Sequence, residues 1–321
     1  MKTVFRENYG PVSSLEIHEV DIPKPKSNEI LVKVKASTVN RTDEGVLLGK
    51  PFIFRFFVGF PKPRVAATGT DFSGVVMGFG SKVKNLKIED EIYGFLDNNL
   101  GSHSEYVCIS ANTPFLKKPT NISHEQAAAA LEGAHYAYYF LEKAQLKIGD
   151  KIMVNGATGA IGNAAIQMLI HKGYEVSFTY PTDSYEKIEH LKAVKKIDYL
   201  REDFTKQDSQ YDFVFDAVGK STFGACKAIL KPGGVYISSE LGPNAENIPL
   251  SIYGLFHKSK RVVFPFPGSP KYSMPVIRKM LEDGSFVPLI EKVYKFEEIK
   301  DAFNHMLSGQ KRGNLVLKIN D

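Results

Sequence analysis

The sequence predicts an α/β protein of two domains, one of them a doubly wound parallel sheet. Strand and helix patterns alternate between Lys151 and Phe266, a glycine-rich turn joins the first strand of that stretch to its helix, and residues up to about 119 read as short strands separated by Pro and Gly. With 321 residues the chain passes the size, about 250–300 residues, at which single cores stop growing.

The elements follow in order. Ile30, Val32, Val34 and Ala36 alternate with Leu31, Lys33 and Lys35, which predicts a half-buried strand. Gly69–Val76 and Ser104–Ile109 predict two more strands. Ser123 and Gln126 have capping-box spacing and predict the start of a helix that runs to about Leu141. Strands are then expected at Lys151–Asn155, Glu175–Thr179, Ile197–Leu200, Phe213–Val218 and Val235–Ser239, with helical segments between them. Near the end, Ile299, Ala302, Phe303, Met306 and Leu307 repeat with helical period, Gly309 stops that helix, and Leu315–Ile319 forms a last strand.

Composition removes several classes of function. A formal charge of +5, from 41 Lys+Arg against 36 Asp+Glu, is too dilute for a nucleic-acid face. With 43% hydrophobic and 24% charged residues, the chain is globular rather than disordered. Cys108 and Cys226, far apart, exclude a disulfide scaffold and predict a reducing, cytoplasmic compartment. The start reaches Glu7 before any apolar run and lacks the form of a secretory signal. The apolar run Phe52–Phe60 is too short to span a membrane and is interrupted by Arg55; with Tyr253–Phe256 it suggests an apolar pocket or core.

The glycine-rich turn Gly156-Ala157-Thr158-Gly159-Ala160-Ile161-Gly162 carries the chemistry. Read against the dinucleotide fingerprint, Ala157, Gly159 and Gly162 stand at the three glycine positions. Gly159 admits a pyrophosphate to the backbone, Gly162 admits the helix to the strand, and the first N–H groups of the helix hold the anion. The second strand ends in Thr179 and Tyr180 with no acid to bind a ribose 2′-hydroxyl, while Lys187, Lys192, Lys195 and Lys196 follow. NADPH is therefore preferred over NADH, with Asp183 arguing the other way.

Together with Ala36–Asp43, Gly69–Val76, Tyr211–Gly219, Leu230–Gly234 and Ser308–Leu317, this turn makes the chain resemble the medium-chain dehydrogenase/reductase superfamily, in its zinc-free, quinone oxidoreductase-like branch. The resemblance covers nearly the whole length. It implies a GroES-like β-barrel catalytic domain over residues 1–124 and 265–321, a Rossmann NADP(H)-binding domain over 125–264, and a homodimer. It aligns Asn40, Thr70 and Glu132 with the Cys, His and Cys that hold catalytic zinc in related enzymes, and Asn and Thr are poor zinc ligands, so no metal is expected.

Without a Lewis acid, hydride transfer suits an acceptor that is already electrophilic, so a small apolar quinone or activated carbonyl compound is the expected substrate. Reduction of the C=C bond of an α,β-unsaturated carbonyl is the alternative, and an NADPH-binding sensor or structural protein is the alternative of another class. Asn40 either orients the substrate or bonds its own turn, and Asp43 supports it. By position the resemblance also assigns Tyr199, Val218 and Phe266 to the cofactor, with Lys187 as the nearby cation. It puts Pro51 where some relatives carry a proton-donating Tyr, and Tyr136 or His135 where they carry a Thr near the nicotinamide.

Overall fold

The computed structural model describes the chain except residues 51, 53, 54, 97–99, 209, 258, 267 and 321. Pro51 and Pro267 therefore lie outside the described residues. The chain divides into two compact units, one of residues 1–132, 274–282 and 290–321, the other of 133–273 and 283–289. The compact units part at 132/133 and 273/274, eight and nine residues beyond the junctions expected at 124/125 and 264/265. Phe266 accordingly belongs to the second unit.

The first unit opens with β1 (Lys2–Phe5) paired to β2 (Glu16–Glu19), then β3 (Glu29–Val39), α1 (Arg41–Leu48), α2 (Arg55–Val58), β4 (Asp71–Phe79), β5 (Glu91–Phe95), β6 (Tyr106–Ser110), β7 (Phe115–Lys117) and α3 (His124–Ala129). The alternation that predicted β3 is its burial pattern: Ile30, Val32, Val34 and Ala36 are fully buried. The first three pack with Phe72, Val76 and Ile92 of the facing strands. Each such side chain contributes about 1.5–3 kcal/mol.

The second unit starts with α4 (Glu132–Ala144), β8 (Lys151–Asn155), α5 (Ala160–His171), β9 (Glu175–Tyr180), α6 (Tyr185–Ile188), β10 (Lys195–Asp198), β11 (Tyr211–Asp216), α7 (Phe223–Cys226), β12 (Leu230–Ser238), α8 (Asn247–Phe256), β13 (Arg261–Val262) and the start of α9 (Pro270–Glu282), whose residues 274–282 belong to the first unit. Its six strands are parallel in the order β10-β9-β8-β11-β12-β13, the doubly wound order of a dinucleotide-binding sheet. The helix expected to run unbroken from Ser123 to Leu141 is two helices. Ser123 and Gln126 form the capping box as expected, but the helix stops at Ala129, three residues before the chain passes into the second unit.

The chain returns to the first unit with β14 (Ile290–Lys295), α10 (Ile299–Leu307) and β15 (Asn314–Lys318). Ile299, Ala302, Phe303 and Met306 of α10 are buried against Val39, Leu47 and Leu315 as expected, whereas Leu307, expected in the same stripe, is exposed. Antiparallel pairing of β15 with β3 sets Leu315 opposite Val39. The turn before β15 therefore lies beside the first turn of α1.

Candidate functional site

In the second unit the strand-to-helix turn has the form of an anion cradle. Gly156 sits at φ +104°, in the left-handed region open to glycine, and a Cβ there would lie 2.5 Å from Val218 Cγ1. A Cβ on Gly162 would lie 2.1 Å from the carbonyl oxygen of Gly156, so only glycine lets α5 approach the turn this closely. Gly159 differs: it has ordinary backbone angles, and a Cβ there would meet nothing nearer than 3.6 Å. Its constraint lies on the open side.

Gly159 is also the N-cap of α5, and no side chain caps the helix. The first N–H groups of the helix, those of Ala160, Ile161 and Gly162, have no carbonyl within the helix to bond to. With the helix dipole they fit a pyrophosphate. Ala157 and Thr158 are buried inside the turn, and Asn163 Nδ2 holds the Ala157 carbonyl at 3.2 Å. Val218 packs against Gly156 from the end of β11.

At the end of β9 the structure separates residues that the sequence grouped together. Thr179 is fully buried and builds the turn: its hydroxyl accepts from Gly156 N–H at 2.9 Å and donates to Asn155 Oδ1 at 2.6 Å. It offers no group to a ligand. Tyr180 is half-buried, with its ring 5.4 Å from that of Tyr185. Tyr199 is exposed, and its N–H bonds the carbonyl of Tyr180. Lys187 is half-buried nearby on α6.

Two charged residues here escaped the sequence reading. Asp198 ends β10 opposite Tyr180, held by the Thr182 hydroxyl, and Arg201 approaches its Oδ2 at 3.4 Å with an exposed side chain. The register that brings them beside β9 was the missing signal. Phe266 is exposed and stacks edge-on to Phe264. His135 bonds Ser273 Oγ at 2.7 Å and is buried, which lowers its pKa to about 4; Tyr136 is half-buried.

In the first unit Asn40 is the N-cap of α1. Its Oδ1 accepts from Asp43 N–H at 2.9 Å, while Asp43 Oδ2 accepts from Asn40 N–H at 3.0 Å, a reciprocal capping box. Asn40 Nδ2 donates to Thr70 Oγ1 at 2.8 Å, with Thr38 Oγ1 at 3.2 Å and Asp71 Oδ2 at 3.3 Å. The amide is thus engaged on every side, and the capping alternative describes its geometry. Thr38 donates to Asp71 Oδ2 at 2.8 Å.

Asp43 and Asp71 are buried, and burial pushes both carboxyls well above the usual aspartate range, with Glu132 adding to the shift. Each keeps one carboxyl oxygen without a hydrogen-bond partner. Glu132, itself buried, accepts a short hydrogen bond from the half-buried Thr42 hydroxyl. Lys311, in the turn before β15, faces Glu132, Glu291, Arg41 and Asp43, and desolvation lowers its pKa. Thr42 and Lys311 were invisible as a pair with Glu132, because three distant segments supply them.

Asn40 and Thr70 thus bond each other, and Glu132, bonded to Thr42, acts on the buried Asp43 and Asp71 through its charge. Among the described residues no three His, Cys, Asp or Glu groups are placed to hold a metal ion. Of Asn40, Thr70 and Glu132, only Glu132 carries a group that zinc commonly takes as a ligand, and a catalytic site needs three.

Residues 26–120 match the alcohol dehydrogenase GroES-like domain family, and residues 191–317 match a family described as zinc-binding dehydrogenase. The fold is that of the quinone oxidoreductase from Coxiella burnetii, with TM-score 0.87 and 26% identity over 100% of this chain and 99% of the other. Over nearly its whole length the chain is similar to the quinone oxidoreductase-like branch of the medium-chain dehydrogenase/reductase superfamily. It is 29% identical to the 2-methylene-furan-3-one reductase of Solanum lycopersicum, over 99% of this chain and 79% of that protein. It is 26% identical to the chloroplastic NADPH-dependent alkenal/one oxidoreductase of Arabidopsis thaliana, again over 99% and 79%.

Proposed function

We propose that this chain is an NADPH-dependent, zinc-independent oxidoreductase that passes hydride to a quinone or another activated carbonyl compound. The observation that carries the reading is the uncapped start of α5, with no close contact at the Gly159 Cβ position and three N–H groups free of helical partners, at the switch point of a doubly wound sheet. Bound NADPH supplies hydride from the nicotinamide C4. An acceptor that delocalises the incoming charge needs orientation and a proton rather than a Lewis acid. In the first unit the Thr42 hydroxyl, bonded to Glu132 and within the field of Lys311, is the group to which we assign that proton. Preference for NADPH over NADH rests on the absence of an acid at the end of β9 and on Arg201, which acts on Tyr180 from beside Asp198, with Lys187 on the helix that follows.

Similarity to an alkenal/one oxidoreductase and to a furanone reductase favours a second reading, hydride delivery to the β-carbon of an α,β-unsaturated carbonyl with a proton to the α-carbon. Initial rates with 1,4-naphthoquinone and with an alkenal, each with NADPH and NADH, separate the two. Turnover of the alkenal alone rejects the quinone assignment, and tighter binding of NADH rejects the cofactor assignment.

The reading extends to a cytoplasmic homodimer. The two cysteines are free thiols whose pKa values burial pushes up to about 11 and about 12, which leaves them inert and suits a reducing compartment. No helix among the described residues is long and apolar enough to cross a membrane. The short edge strand β13 and the exposed Leu255 and Phe256 of α8 support self-association, and light scattering that reads twice the chain mass tests it.

A further inference from the structure

The cofactor turn is closed from beneath by a ring of buried groups. Gly156 N–H donates to Thr179 Oγ1 at 2.9 Å, the Thr179 hydroxyl donates to Asn155 Oδ1 at 2.6 Å, and Asn155 Nδ2 donates to Asp216 Oδ1 at 3.0 Å. Asp216 then gathers the loop that follows β11. Its Oδ1 accepts from Val218 N–H at 3.3 Å and from Lys220 N–H at 3.4 Å, and its Oδ2 accepts from Ser221 N–H at 2.8 Å. Val218 finally packs back on Gly156, where the ring began.

The ring admits one orientation. A hydroxyl has a single hydrogen, and Thr179 gives it to Asn155, so it must accept from Gly156. Asn155 must then turn its NH2 group to Asp216, because the flipped amide would set oxygen against carboxylate. Thr179 and Asp216 are fully buried and Asn155 nearly so, so a missing partner is not replaced by water. The three residues stand at the carboxyl ends of the adjacent strands β9, β8 and β11, with Asn155 in register with Asp216.

We infer that Thr179, Asn155 and Asp216 act as one positioning unit that sets the glycine turn and the Val218 loop at the spacing the dinucleotide requires. Cofactor affinity then depends on a hydroxyl too deep to touch the cofactor. This rests on the NADPH-binding reading above, and it goes further in naming residues that act through the turn rather than on the ligand.

The test compares Thr179→Val, which keeps the shape and removes the hydroxyl, with Thr179→Ser, which keeps the hydroxyl. NADPH affinity is read from its fluorescence, KM and kcat from naphthoquinone reduction, and backbone looseness from hydrogen exchange of the ligand-free protein. Thr179→Val is expected to raise Kd and KM for NADPH about tenfold, the equivalent of one lost buried hydrogen bond. Its kcat at saturating NADPH stays within about twofold, and exchange rises both at residues 156–161 and at 218–221, although Thr179 bonds nothing in the second segment. Thr179→Ser restores all three.

Unchanged NADPH affinity in Thr179→Val, faster exchange confined to 156–161, or failure of Thr179→Ser to restore binding overturns the inference. If Thr179→Val does not fold, Val218→Ala at the half-buried end of the ring makes the same test, and unchanged exchange at 156–161 overturns it. Wild-type protein that binds no NADPH at all sinks the functional reading and this inference together. Binding by wild type with an indifferent Thr179→Val sinks the inference alone.

Discussion

Two glycines in one turn answer to different constraints, and substitution separates them. A side chain on Gly162 collides with the backbone of Gly156, so Gly162→Ala destabilises the fold by about 1–3 kcal/mol or more, read as a lower urea midpoint. A Cβ on Gly159 meets no protein atom closer than 3.6 Å, so Gly159→Ala keeps the urea midpoint and weakens NADPH binding, read by fluorescence titration. If Gly159→Ala bound NADPH as wild type does, the pyrophosphate would lie elsewhere. In the first unit, Thr42→Val removes the hydroxyl that bonds Glu132; kcat should fall about 10²–10⁴-fold with NADPH affinity unchanged, the usual weight of a positioned proton donor. An unaltered kcat would assign the proton to solvent.

At the level of elements, α1 shows how a cap can hide in a sequence. Asn40→Ala removes the cap of α1 and the bonds to Thr70 and Asp71, at a cost of about 1–2 kcal/mol measured by chemical denaturation, whereas Asn40→Asp keeps an acceptor for Asp43 N–H. Spacing alone announced the Ser123–Gln126 cap, because a Ser and a Gln three apart before an alanine run have few other uses. The Asn40–Asp43 box has the same spacing, yet it stood where the resemblance placed substrate chemistry, so both roles stayed open until partners were visible. Periodicity likewise revealed β3 and α10, whose apolar faces are continuous. It could not reveal the break after Ala129 or the Thr42–Glu132–Lys311 grouping, since those depend on which segments meet rather than on local pattern.

For the molecule as a whole, buried histidines make stability depend on pH. Burial lowers the pKa values of His103 and His135 from 6.5 to about 4. Groups with a depressed folded-state pKa contribute stability that is present above the unfolded value and lost as pH falls through the folded one. Each therefore withdraws about 2 kcal/mol between pH 7 and pH 5. The raised pKa values of Asp43 and Asp71 act in the opposite direction, favouring the fold at low pH and weakening it as pH rises through them. Comparing wild type with His103→Gln isolates the histidine: the variant should show a flatter dependence of unfolding free energy on pH between 7 and 5, and an unchanged slope would mean that His103 is not buried in its neutral form. Binding of NADPH at the glycine turn and passage of its hydride to an electrophilic carbonyl compound are measured together as the loss of NADPH absorbance when purified, metal-free protein is given 1,4-naphthoquinone or an alkenal. Oxidation of NADPH is expected to depend on both enzyme and acceptor, to be faster than that of NADH and to be undiminished by a chelator; NADPH that binds but is oxidised by no acceptor, or activity that requires added zinc, would refute zinc-independent hydride transfer.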